Sequence, residues 1–131
     1  ETNTVTDSLI LKDGKTKFGF VLKKNSYYSI RISKKGFISK LVAVNTEILI
    51  ETDGIHRFNF QTKLMNEALI SRLNDDVVDF PVAIIHFDYD NNCFDYNKEY
   101  TSYIKRELYS VKTKTTKRSI NPVLGNRVAA N

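Results

Sequence analysis

The stretch Tyr27–Thr46, YYSIRISKKGFISKLVAVNT, most narrows what this chain can become. Tyr28, Ile30 and Ile32 share one parity, and Ser29, Arg31 and Ser33 hold the other. A period of two sets those groups on opposite faces of a strand, whereas an amphipathic helix repeats its apolar positions every three or four residues. Lys34-Lys35-Gly36 then interrupts the pattern. Phe37–Val44 resumes it with β-branched and aromatic residues, which suit a pleated surface. Two strands joined by a turn are predicted.

The flanks extend this grammar. Lys12-Asp13-Gly14-Lys15 reads as a hairpin turn, because Asp-Gly accepts the positive φ that tight turns require. Val5–Leu11 and Thr16–Leu22 read as strands on either side, the second with Phe18, Phe20 and Leu22 on one face. Lys23-Lys24-Asn25-Ser26 turns the chain into the opening stretch. The first 46 residues are therefore expected to form a meander of four strands. Ile55–Leu64 alternates again through Phe58, Phe60 and Leu64. Leu69 and Leu73 lie four apart and predict one or two helical turns, followed by a loop at Asn74-Asp75-Asp76. Pro81 suits the first residue of a strand, and Val82–Phe87 is apolar on both parities, as in a central strand covered on both faces.

Asp88–Asn92 reads as a polar turn. Asn97 can cap a helix whose apolar stripe is Tyr96, Tyr100, Tyr103, Ile104 and Leu108, with Lys105 and Arg106 placed late, where they suit the helix dipole. The fold class that follows is mainly β. Antiparallel strands bury Phe18, Phe20, Tyr28, Ile30, Phe58 and Phe60, and one helix over about 97–111 lays Tyr100, Ile104 and Leu108 on the sheet. Residues 1–111 form the domain, and 112–131, with Pro122 and Gly125 and no period, read as an extended basic tail.

Charge is distributed unevenly. Residues 105–131 carry seven of the 20 Lys and Arg and one of the 15 acids, a net of +6, which leaves the remainder at −1. A basic tail can hold phosphates or acidic lipids, and it equally reads as solvated chain; no nucleic-acid partner is expected. The tail also carries Ile120, Pro122, Val123, Leu124, Arg127 and Val128, which can dock in a groove of a partner protein and order only there. No apolar run approaches the roughly 18 residues of a membrane span. The single cysteine, Cys93, makes no disulfide within the chain. The chain opens on Glu1, so any leader is expected to be already gone.

Chemistry-bearing residues are sparse. Counted from Asp88, oxygen ligands fall at one, three and five as Asp88, Asp90 and Asn92, with Glu99 at twelve, which is the spacing of a calcium loop. Position six of such a loop is Gly, and here it is Cys93; the preceding segment reads as strand where a helix is required. A plain Asn/Asp-rich turn is the competing reading. His56 and His86 are the only histidines, and neither sits in a pattern of matched nucleophile and base. Asp75-Asp76 lies in a polar loop and reads as a pair of solvated turn residues. Tyr27, Tyr28 and Tyr89 offer an aromatic surface for a glycan, although Tyr27 and Tyr28 point to opposite faces of one strand and there is no Trp.

From Gly14 to Thr46 the chain resembles a transthyretin-like, carboxypeptidase regulatory-like β-sandwich module. The resemblance rests on Gly14 ahead of the Phe18/Phe20 strand, Leu22, the Tyr28-x-Ile30 strand and the Lys35-Gly36-Phe37-x-x-Lys40 corner. The later run from Phe80 to Leu108, FPVAIIHFDYDNNCFDYNKEYTSYIKREL, is similar to the second half of short exported envelope proteins of Bacteroidetes-type bacteria. The resemblance implies an antiparallel transthyretin-like (prealbumin-like) sandwich without catalytic residues. It also implies an exported, periplasmic, cell-surface or outer-membrane-associated setting, peripheral to the membrane, and a role as a structural or interaction subunit. Modules of that family open with additional strands, whereas at most one precedes Gly14 here. Either the N terminus has been trimmed, or strands are missing from this stretch, or another chain completes the sheet; an unpaired edge invites a partner strand or a second copy. The alternative function is a calcium- or glycan-binding module at the Asp88–Glu99 turn.

Overall fold

A computed structural model describes residues 7–110. It is mainly β: four strands, β1 (Tyr27–Ile32), β2 (Lys40–Asn45), β3 (Ala83–Asp88) and β4 (Cys93–Tyr96), form one sheet in the order β1-β2-β3-β4. A short 3-10 turn spans Glu67–Arg72, and one helix, α1, spans Lys98–Leu108.

The β1–β2 hairpin follows the alternation. Tyr28 lies opposite Val44, Ile30 opposite Val42 and Ile32 opposite Lys40. Gly36 in the connection takes φ 86°, a left-handed conformation that a side chain would disfavour. At the other end, the buried Thr46 hydroxyl accepts from the Ser26 amide at 2.9 Å and donates to the Lys23 carbonyl at 2.6 Å, fastening the chain as it enters β1.

The sheet is mixed, which corrects the expectation of antiparallel strands throughout. β2 and β3 are parallel, with Val42, Ala43 and Val44 beside Ala83, Ile84 and Ile85. A parallel neighbour needs a long return connection, and residues 46–82 provide it. Within that return, the Phe37–Asn66 bridge and the bond from the Ile38 amide to the Met65 carbonyl, 2.8 Å, bring the chain back beside the start of β2. β3 and β4 then form an antiparallel hairpin.

Val42, Val44, Ala83 and Ile85 are the buried centre of one sheet face, with Tyr28, Ile30, Ile32 and Phe94 packed around them from the outer strands. Leu22, Phe58 and Phe60 cover that face from segments 16–22 and 55–64, which the alternation predicts as strands. Neither segment belongs to a strand, so two of the four strands expected before residue 47 are paired in the described part. Among the residues expected in the core, Tyr28, Ile30, Phe58, Phe60 and Phe20 are half-buried, and Phe18 is 45% exposed, edge-on to Phe20 at 6.0 Å. The most enclosed side chains are smaller and more central: Val42, Ala83 and Leu73, with Phe87 at 4% exposure the largest aromatic among them.

Helix α1 begins where expected. The Asn97 side chain accepts from the Tyr100 amide at 2.9 Å, satisfying a first-turn donor. Ile104 is its buried residue, and with Val77 it lines one small cavity. The Asn74 amide donates to the Leu108 carbonyl at 2.8 Å and its side chain donates to Ser110 at 3.1 Å, which closes the far end of the helix. A cavity of about 20 Å³, room for one water molecule, lies between Ile38, Lys40, Val77, Val82, Ile104 and Leu108. Burial holds the Lys40 amine below its ordinary pKa; it donates to Thr62 at 3.1 Å.

Candidate interaction site

Among the described residues, strand order makes β1 and β4 the two edges of the sheet. The direction of their backbone groups follows from neighbouring hydrogen bonds. The Thr46 amide donates to the Ser26 carbonyl at 2.9 Å, so Ser26 faces β2. Successive residues of a strand alternate in this respect. Tyr28, Ile30 and Ile32 therefore bond toward β2, and Tyr27, Ser29 and Arg31 direct their amide and carbonyl groups away from the sheet. At the other edge, the Asn97 amide donates to Ile84 at 2.8 Å, which leaves Phe94 and Tyr96 facing outward.

The two edges differ in length and chemistry. β1 has six residues and β4 has four. β1 contains no Pro, Gly or Lys and no charged side chain aimed at the core; these are among the devices that ordinarily close an edge. Tyr27, 75% exposed, and exposed Ser29 and Arg31 project from its open face. Leu41, Ala43, Ile84 and His86 continue that face, each half-buried.

The residues with calcium-loop spacing do not converge. Asp88 and Cys93 are direct partners across the β3–β4 hairpin, with Asp90 and Asn92 in the turn between them. Glu99 lies beyond the opposite end of β4, in the first turn of α1. Asp88 spends its oxygens within the turn, accepting from the Asp90 amide at 2.9 Å and from the Asn91 side chain at 2.7 Å. The Asn91 side chain is also the main reason its carboxyl titrates below the ordinary value. Asn92 takes φ 55°, one of two non-glycine residues in that region among the described residues, which an Asn-rich turn allows. Among the described residues no group of three or more His, Cys, Asp or Glu is arranged to hold a metal ion.

The histidines sit on different faces. His56 bonds Thr52 at 3.0 Å and lies edge-on to Phe87 and Phe94, with ring centroids 5.5 and 5.9 Å away. Tyr89 also leans on Phe87, at 5.1 Å, and its hydroxyl accepts from the Leu49 amide at 2.8 Å. This aromatic group pins the β2–β3 connection to the core face. His86 lies on the open face opposite Asp95, its ring within 3.3 Å of the Phe87 carbonyl. Cys93 is exposed. Tyr27 stands on the open face and Tyr89 on the core side, so they make no common glycan platform.

Ile120, Pro122, Val123, Leu124, Arg127 and Val128 lie outside the described residues. No described helix is long and apolar enough to cross a membrane. Comparison with family models, curated proteins and solved structures finds no match to the chain. Sequence reading missed β4 and hence the identity of the edges. The signal was present in Cys93–Tyr96, where Phe94 and Tyr96 alternate with Cys93 and Asp95.

Proposed function

We propose that this chain is a non-enzymatic interaction module that receives a partner strand along β1. One observation carries the reading: Tyr27, Ser29 and Arg31 present an outward row of backbone donors and acceptors on a six-residue edge that contains no Pro, Gly or Lys. Strand addition satisfies such groups in regular order, and the alternate side chains supply selectivity. The transthyretin-like sandwich is the proposed complete architecture. Its support is the position of Leu22, Phe58 and Phe60, which cover the core face where the second layer of a sandwich would stand. A role as a structural subunit of a bacterial envelope assembly, exported and peripheral to the outer membrane, rests on the resemblance at Gly14–Thr46 and Phe80–Leu108. The tail from Lys112 onward is the second proposed contact.

The test is capture of partner proteins from an envelope extract by the full chain and by Ser29→Pro. Proline removes an outward amide and leaves the β1–β2 ladder intact. Loss of a specific partner by a variant that melts like wild type supports the reading. A partner retained by Ser29→Pro and by a chain ending at Val111 refutes both proposed contacts.

A further inference from the structure

We propose that the occupant of the β1 edge is a second copy of β1, joined antiparallel about a two-fold axis at Ser29. This rests on the edge-strand reading above and names its partner. Antiparallel strands pair outward residues with outward residues, so the sum of paired residue numbers must be even. A two-fold axis midway between Ser29 and Ile30 is thereby forbidden. An axis at Ser29 matches Tyr27 with Arg31 of the second copy, Ser29 with itself and Arg31 with Tyr27. All three outward residues of β1 are used, giving about six interchain hydrogen bonds. An axis at Ile30 uses only Ser29 and Arg31 within the strand, for about four.

Side-chain chemistry favours the same register. On the open face, each Arg31 guanidinium meets the ring of Tyr27 across the junction, a cation–π arrangement between two side chains that are both exposed in the single chain. Four residue positions separate the two, so no Arg31 stands opposite another. On the core face, Tyr28 meets Ile30 of the second copy. Both are half-buried residues at the margin of the Val42–Val44–Ala83–Ile85 group, and the junction extends that group from one copy into the next. β4 does not serve as well, since it offers two outward residues, Phe94 and Tyr96, on a four-residue strand.

The experiment measures the mass of the full chain in solution over a range of concentrations. Wild type is expected to dimerise, and Ser29→Pro to weaken dimerisation at least about tenfold, as loss of the central hydrogen bonds requires. A second variant pair guards against a folding defect in the proline variant. In a Cys93→Ser background, Ser29→Cys is expected to oxidise to an interchain disulfide, because opposed residues of a hydrogen-bonded pair sit about 5.5 Å apart at Cα. Ser33→Cys in the same background is expected to dimerise without forming an interchain disulfide, since the register sets Ser33 far from its own copy. A wild type that remains monomeric, or Ser29→Cys and Ser33→Cys that cross-link equally, overturns the self-pairing. Capture of a different partner that still depends on Ser29 would then leave the interaction reading standing; loss of both removes both.

Discussion

The Tyr100 hydroxyl donates a 2.7 Å hydrogen bond to the carbonyl of Pro81, linking the first turn of α1 to the residue from which the chain enters β3. The contact joins positions on either side of the β3–β4 hairpin. Burial, with a smaller contribution from Tyr103, raises the Tyr100 pKa, so the phenol stays protonated and keeps its donor role. Tyr100→Phe removes only that hydroxyl. A cost of about 1 kcal/mol is expected from denaturant titration, and an unchanged midpoint would show that the bond contributes nothing net. Because the folded-state pKa is raised, this stability is present below the unfolded-state pKa and fades as pH climbs above it.

Asn97→Ala should cost about 1 kcal/mol by stripping the cap from α1. Asn97→Asp keeps an acceptor for the Tyr100 amide and is expected to restore most of the loss. Circular dichroism at the helical minimum during a thermal melt separates the two variants. Equal melting of Asn97→Ala and wild type would remove the cap from the account.

Phe87 and Phe18 make a contrasting pair of alanine substitutions. Phe87 is enclosed by His56, Tyr89 and Phe94. Its truncation should destabilise by about 3–5 kcal/mol, as deletions of buried Phe do. Phe18 is packed edge-on to Phe20 and leaves 45% of its surface exposed, so its truncation should cost much less than that of Phe87. Reversed ranks in chemical denaturation would refute this placement of the core.

Lys40→Met should stabilise the fold at neutral pH. Lys40 lines the small cavity, and burial disfavours the charged form of its amine. The wild-type penalty is full while the amine is charged in both states. It lifts as pH rises through the lowered folded-state value toward 10.5. The melting-temperature gain of the variant is therefore expected to shrink in strongly alkaline buffer. A variant less stable than wild type at pH 7 would mean that the Thr62 contact outweighs desolvation.

Local patterns made the β1–β2 hairpin, the start of β3 and the capped helix readable, because alternation, a positive-φ glycine and an Asn cap each act within a few residues. The same signal misled at Thr16–Leu22 and Ile55–Leu64. Alternation records one-sided burial, and both segments have it; hydrogen bonding to a neighbour leaves no such trace. The pairing of Ala43 beside Ile84 was invisible for a related reason, since nothing in either segment announces a parallel partner across a long connection. Oxygen-rich spacing at Asp88–Glu99 hid β4, which carries Glu99 away from the turn. The candidate site was readable only as chemistry: Tyr27, Ser29 and Arg31 become an edge through strand order alone.

The parallel seam between β2 and β3 also dictates a sequence of events during folding. The β1–β2 hairpin needs only a local turn, whereas β3 must wait until a much longer loop has closed, at an entropic cost that no nearby contact repays in advance. Until then Leu41, Ala43 and Asn45 expose the backbone row reserved for β3. Loop closure thus predicts that a first hairpin formed ahead of β3 carries two bare flanks, where misassembly competes with maturation.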